Sequence, residues 1–220
     1  MGSPFTIALV VLTLLPLATF QWKVNPRNNI FENIISTKSS SDNSLGRAVN
    51  GYYDGLCRVG IGYDIHKIVD CGRTFKLGGV VVSDEYQIDA HSDGDVLYHA
   101  IADAIFGALG KGDIGQHFPN TPKFDNINSS EILDRASTLT KEGGYKIYNI
   151  DAVVILQKVI LQNYISEMVE NVKKSLSDAT DNETVVSVKG KTKEGLDSTG
   201  RGLSVECHTI VTLRKIPLYN

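Results

Sequence analysis

Two side chains able to hold a cation stand two residues apart in the stretch RVGIGYDIHKI, Arg58–Ile68: Asp64 and His66. On an extended chain, residues i and i+2 project to the same face, so a carboxylate and an imidazole are offered together. That is part of a zinc site, which takes three protein ligands and leaves a fourth position open when it is catalytic. By itself the Asp-x-His pair suits equally well an Asp that bonds a turn at the strand end. Further along, Asp95, His99 and Asp103 follow at spacings of four, which places them on one face of a helix. Three ionisable groups beside an apolar stripe need partners or a metal. His99 is the expected third ligand, with Asp95 or Asp103 orienting an imidazole from behind. Asp93 and Asp95 also fit the start of a helix as acids that favour its dipole; His99 lies too deep in the helix for that.

Three further segments carry groups suited to phosphate. In DAHSDGD, Asp89–Asp95, Ser92 and the first N–H groups of the following helix form an anion-friendly end, and His91 can add a hydrogen bond or a charge. GKGDIGQHFPNT, Gly110–Thr121, is read as a Gly-rich loop whose isolated Asp113 is placed to bond a substrate hydroxyl. Glycines for turns and an Asp for a cap explain that segment equally well. VKGKTKEGLDSTGRG, Val188–Gly202, combines Lys191, Thr192, Glu194 and Arg201 with flexible backbone. Cations and a hydroxyl suit a polyphosphate, and a carboxylate among them suits a hard divalent ion bridging phosphates. It lacks the P-loop spacing, and an exposed charged hairpin is the plainer alternative. Together these groups imply metal-assisted phosphoryl chemistry on a diphosphate or nucleotide.

The elements that must position them follow from periodicity. Val59, Ile61, Tyr63 and Ile65 alternate and predict a strand, with Gly60 and Gly62 expected to let the chain approach a substrate and Asp64 and His66 at its end. Phe75–Val82 predicts a second short strand interrupted by Gly78-Gly79. Asp93–Gly110 carries the stripe Val96, Leu97, Ala100, Ile101, Ala104, Ile105, Ala108 and a terminal glycine, which predicts a helix. Ser129–Gly144 and Asn163–Ser177 predict two more helices. Tyr145–Gln157, the run TVVSVKGKT and Leu203–Lys215 predict strands. The alternation argues for an α+β or α/β layer in which a single sheet is covered by helices on one face.

The chain has 220 residues and a net charge of −3, which gives nucleic-acid binding no support. Cys57, Cys71 and Cys207 form neither a disulfide framework nor a zinc knuckle. Residues 1–20 are read as a signal-peptide-like hydrophobic segment, too short for a confident spanning helix. A membrane anchor is the alternative for that segment. Residues 21–56 are Asn- and Ser-rich and are read as a disordered, transit-peptide-like leader. The folded domain is expected over residues 57–220, with no membrane association of its own.

In order, GIGYDIHKI, DAHSDGDVLYHAIADAIFGALGKGDIGQHFPNT, SSEIL, NIDAVVILQ and VKGKTKEGLDSTGRG resemble the 2-C-methyl-D-erythritol 2,4-cyclodiphosphate synthases over roughly residues 57 to 215. The resemblance implies a single mixed sheet and a homotrimer with active sites at subunit interfaces. It implies Zn2+ on Asp64, His66 and His99, and a second divalent ion, Mg2+ or Mn2+, on Glu194. It implies catalytic roles for His91 and Thr192. Substrate contacts are implied for Ser92, Asp113, Ile114, Gly115, Phe118, Asn120, Lys191 and Arg201, and nucleotide contacts for Leu156, Gln157, Ile160, Leu161 and Gly190. The implied reaction cyclises a CDP-linked methylerythritol 2-phosphate and releases CMP in the non-mevalonate isoprenoid pathway. The leader then implies a plastid address, an apicoplast above all.

Several positions depart from the family pattern. Lys158-Val159-Ile160-Leu161 stands where a Pro-Lys pair is usual, Asn120 where Asp is common, Ser198 where an aromatic is common, and Lys191 where a small hydroxyl residue is usual. The altered pocket motivates a rival reading, a non-catalytic trimeric protein that binds metal or isoprenoid diphosphate.

Overall fold

The structure is a computed structural model that describes residues 57–70 and 74–216. The leader and Cys71 lie outside the described residues. Strand β1 (Arg58–Val69) is followed by two short strands, β2 (Phe75–Leu77) and β3 (Val80–Ser83), and by β4 (Gln87–Asp89). Helix α1 (Val96–Leu109) and a single-turn α2 (Ile114–His117) precede α3 (Ser129–Glu142) and the long β5 (Tyr145–Ile155). The chain closes with α4 (Ile165–Ser175), β6 (Val185–Lys191), a short α5 (Asp197–Gly200) and β7 (Ser204–Lys215). The fold is α+β.

The main sheet has five strands in the order β4-β1-β7-β5-β6, antiparallel except for the parallel β5–β6 pair. Helix α1 lies on β1 and β7, α3 on α1 and β5, and α4 on β6. All three helices therefore form one layer. A bulge between Ile147 and Asn149 of β5 shifts its alternation. Tyr145 and Ile147 face the helices before it, and Ile150, Ala152 and Val154 after it, all buried.

The face of β1 turned to the helices is the opposite of the one its apolar residues suggest. Val59 and Ile61 are 65% and 74% exposed, and Tyr63 and Ile65 lie on the same bare face. The helix-facing positions are Gly60, Gly62, Asp64 and His66. The two glycines do not serve approach to a substrate. A Cβ on Gly60 would lie 1.8 Å from the Ala104 carbonyl oxygen, and one on Gly62 1.9 Å from that of Ala100. They exist so that the backbones of α1 and β1 can touch, with alanines as the reciprocal small residues. The strand also runs past His66 to Val69, so the Asp-x-His pair lies within it rather than at its end.

Helix α1 is buried nearly all round, with Asp103 and Gly107 the positions left less covered, as expected of a helix enclosed by a sheet and a second helix. Gly110 closes it in a left-handed conformation, φ 66°. Asp95 caps its start, accepting from Tyr98 N at 3.2 Å. The same carboxylate accepts from Gly78 N and Gly79 N at 2.9 and 2.8 Å. These glycines, at φ 57° and 72°, are the two-residue turn of a β2–β3 hairpin, where the sequence suggested one interrupted strand. Asp95 thus joins hairpin to helix and orients no imidazole.

Among the cysteines described, Cys57 is exposed and Cys207 buried, both free. Burial pushes the Cys207 thiol up to about 12, so it behaves as a small core residue.

A candidate metal centre and a second groove

Asp64 and His66 meet His99 because α1 crosses β1 at backbone contact distance, with His99 directly preceding Ala100, the partner of Gly62. The Asp64 Oδ2 atom lies 2.8 Å from His99 Nδ1 and 3.1 Å from His66 Nε2. The two ring nitrogens are 3.1 Å apart. Three donor atoms therefore converge on one point. A tetrahedral cation with bonds of about 2.0 Å spaces its ligands by roughly 3.3 Å, so the donors need to open only slightly to hold one. Two imidazoles and a carboxylate match zinc far better than magnesium, which prefers oxygen. Burial alone would raise the Asp64 carboxyl, but hydrogen bonds from both imidazoles outweigh it and hold the group well below the usual carboxylate range. Burial alone would lower His99; the hydrogen bond and charge of Asp64 reverse this and hold it above an ordinary imidazole.

The far side of His99 is anchored by residues the sequence did not single out for this role. His99 Nε2 lies 2.8 Å from Ser129 Oγ and 3.2 Å from Ser92 Oγ. In the tautomer that leaves Nδ1 free for a cation, Nε2–H donates to Ser129, and Ser129 donates to Asp93. Asn128, not Ser129, caps the start of α3, accepting from Ser130 N at 3.0 Å. The Ser129 hydroxyl is thereby free to reach back across thirty residues. Asp103 does not orient an imidazole either. It accepts from Ile114 N at 2.8 Å and so fastens α2 to α1. Burial, the largest influence on it, raises its carboxyl.

The segment from Gly110 to Thr121 contains α2, with Asp113 as its cap, accepting from Gln116 N at 2.9 Å. This turn brings Ile114, Gly115, Phe118 and Asn120 to the wall of a cavity of about 320 Å³. Asp64, His66 and His99 lie at the same cavity, together with His91 and Ser92. His91 Nε2 and Asn120 Nδ2 are 3.2 Å apart across its mouth.

A second groove, of about 450 Å³, gathers Leu156, Gln157, Ile160, Leu161, Gly190, Lys191 and Thr192. It runs between the end of β5 and the end of β6, whose parallel pairing sets Ile155 opposite Lys191. Its floor is apolar and Ile160 stands 82% exposed at its rim. Thr192 Oγ1 donates to Glu194 Oε1 at 2.5 Å just beyond it. Arg201 is exposed at the end of α5 and lines neither cavity. Within one chain, then, most of the expected site residues fall into two groups, one around the three metal donors and one around the β5–β6 groove, while Asp113, Glu194 and Arg201 line neither cavity.

The YgbB family model matches residues 57–214. The 2-C-methyl-D-erythritol 2,4-cyclodiphosphate synthase of Fusobacterium nucleatum is 44% identical over 161 residues, 73% of this chain and 98% of that one. That of Pelobacter propionicus is 44% identical over 157 residues, 71% and 97% of the two chains. Among solved structures, IspF of Plasmodium falciparum in complex with CDP is 37% identical with a TM-score of 0.64, covering 73% of this chain and 97% of its own.

Proposed function

The chain belongs to the YgbB family, and from that membership we propose how its two groups of residues act in the family's reaction. It cyclises 4-diphosphocytidyl-2-C-methyl-D-erythritol 2-phosphate to 2-C-methyl-D-erythritol 2,4-cyclodiphosphate in isoprenoid biosynthesis. An oxygen of the 2-phosphate attacks the β-phosphorus. The bond from that phosphorus to the bridging oxygen breaks, and CMP leaves with the oxygen and its electron pair. Attacker and target belong to one molecule, so the protein's task is alignment and charge neutralisation, with no covalent enzyme intermediate.

The observation that carries this assignment of residues is the convergence of Asp64, His66 and His99 at one cavity with His91, Ser92, Ile114 and Gly115. Asp64, His66 and His99 would hold zinc, which would supply positive charge against a phosphate oxygen. His91 and Ser92 bind the phosphates, and the α2 turn at Asp113, Ile114 and Gly115 holds the methylerythritol. Phe118 and Asn120 close that end. The β5–β6 groove takes the cytidine, in keeping with its apolar floor. Thr192, beside Glu194, stabilises the charge that develops on the diphosphate, with Lys191 and Arg201 as further phosphate contacts. Glu194 would be the carboxylate that holds a second divalent ion, magnesium or manganese, which would add positive charge against the diphosphate.

The same reading makes the active unit a homotrimer with sites between subunits. Its support is twofold. Most of the expected site residues form two separate groups on one chain, and the bare face of the sheet exposes Val59, Ile61, Tyr63, Ile65 and Ile210 side by side, an apolar patch of the kind that marks an interface. The N-terminal segments serve as a two-part address to a plastid, an apicoplast above all; a fluorescent fusion of residues 1–57 that stays at the plasma membrane would remove that part.

The deciding experiment incubates the purified protein, with zinc and magnesium, with the CDP-linked substrate and follows both products by mass spectrometry. CMP and the cyclic diphosphate should appear together and vanish with a chelator. CMP without the cyclic product would mean hydrolysis and a wrong geometry. No CMP from a zinc-loaded trimer would point to a binding protein instead.

A further inference from the structure

The loop from Thr192 to Leu203 carries Thr192, Glu194 and Arg201, and its conformation is not one a free chain would choose. Glu194 and Asp197 both sit in the left-handed region, at φ 51° and 55°, without being glycine. Such residues persist only where the surroundings over-determine them. A carboxylate from another element bonds residues beside both of them. Glu206 of β7 is buried, 6% exposed, and its Oε1 atom takes two bonds. Lys193 Nζ donates to it at 2.7 Å, and the fully buried Thr199 donates to it through its hydroxyl. Ser204 completes the set, its hydroxyl donating to Thr199 at 2.7 Å. Lys193 also reaches Asp197 at 3.1 Å, and its backbone N–H donates to Gln157 Oε1 at 3.2 Å. The residue between Thr192 and Glu194 is thus held at its backbone and at its side-chain tip. With Lys193 drawn toward Glu206, its two neighbours are left to meet each other, Thr192 Oγ1 to Glu194 Oε1 at 2.5 Å.

We propose that Glu206 is a positioning residue for this reaction: through Lys193 and Thr199 it fixes the loop so that Thr192 and Glu194 present their oxygens together to the diphosphate and its divalent ion. The proposal rests on the reading of Glu194 as that ion's ligand. Glu206 touches neither substrate nor ion; its effect runs through the loop.

The test compares Glu206→Gln, Lys193→Met and Glu194→Gln in the intact protein. Three quantities are read: zinc content, the Mn2+ concentration that gives half-maximal turnover, and amide exchange across residues 192–203. Glu206→Gln and Lys193→Met should each raise the half-saturating Mn2+ about tenfold, with faster exchange in the loop and unchanged zinc. Parental Mn2+ dependence and parental exchange in both variants would overturn the proposal. Should Glu194→Gln leave the Mn2+ dependence unchanged, the reading of Glu194 fails. Exchange then decides for Glu206 alone: faster in Glu206→Gln supports it as the loop's anchor, and unchanged removes it.

Discussion

Asp64 touches both imidazoles through one oxygen, and that contact sets how the centre responds to protons. Metal binding requires a neutral His99. Asp64 holds the His99 imidazole above its ordinary value, so protons compete with the metal from a higher pH than they would at an isolated histidine. Zinc affinity should therefore fall as pH is lowered through that raised value, while Asp64, held low, stays ionised throughout. A competition titration against a chromophoric chelator at several pH values measures this; a flat profile from pH 8 to 6 would contradict it. The same titration tests the hydroxyl behind the ring. Ser129→Ala removes the acceptor of His99 Nε2–H and should weaken zinc roughly 10- to 100-fold, with Ser129→Thr restoring part of the loss. The donors themselves were legible from spacing, because i, i+2 on a strand and the i+4 series on a helix each fix a face. Ser129 was not legible. Its use depends on Asn128 taking the cap, and neighbouring serines at a helix start carry no sign of a contact thirty residues back.

At the level of elements, α1 and β1 position the centre together, and their backbone contact is the tolerance that matters. Gly62→Ala places a methyl 1.9 Å from the Ala100 carbonyl oxygen, with backbone rather than a flexible side chain in the way. Helix and strand must separate, at a cost of about 3 kcal/mol or more. Chemical denaturation should show that loss, together with weaker zinc binding, since His99 rides on the displaced helix. A variant as stable as its parent would mean that the contact is not held in solution. The existence of α1 and its Gly110 stop were plain in the sequence; that Asp95 caps it was not. The orientation of β1 was not. Period-two alternation says which residues share a face but not which face meets the helices, and here the apolar Val59, Ile61, Tyr63 and Ile65 lie on the bare one. The Gly78-Gly79 hairpin and the shift of alternation in β5 were missed for a related reason: a turn or a bulge is one residue's conformation, and hydrophobic period averages over it.

For the whole molecule, the bare sheet face is the feature that a single chain leaves unexplained. Ile61, at 74% exposure the least covered of the β1 residues on that face, pairs in register with Ile210 of β7. Ile61→Asp introduces a charge there and leaves the helix side untouched. Sedimentation should show the proposed trimer replaced by smaller species, turnover should collapse, and zinc should still bind each chain. A trimer that survives would place the interface elsewhere. The two-faced character of β1 also has a genetic consequence. Its even-numbered positions from Gly60 to His66 belong to the helix and the metal, and its odd-numbered ones to the proposed neighbour. A single-codon insertion between Gly62 and Asp64 would turn both ligands out to the assembly face and an apolar side chain in toward the metal. In a library of random codon insertions and deletions selected for isoprenoid synthesis, this segment should return no survivors.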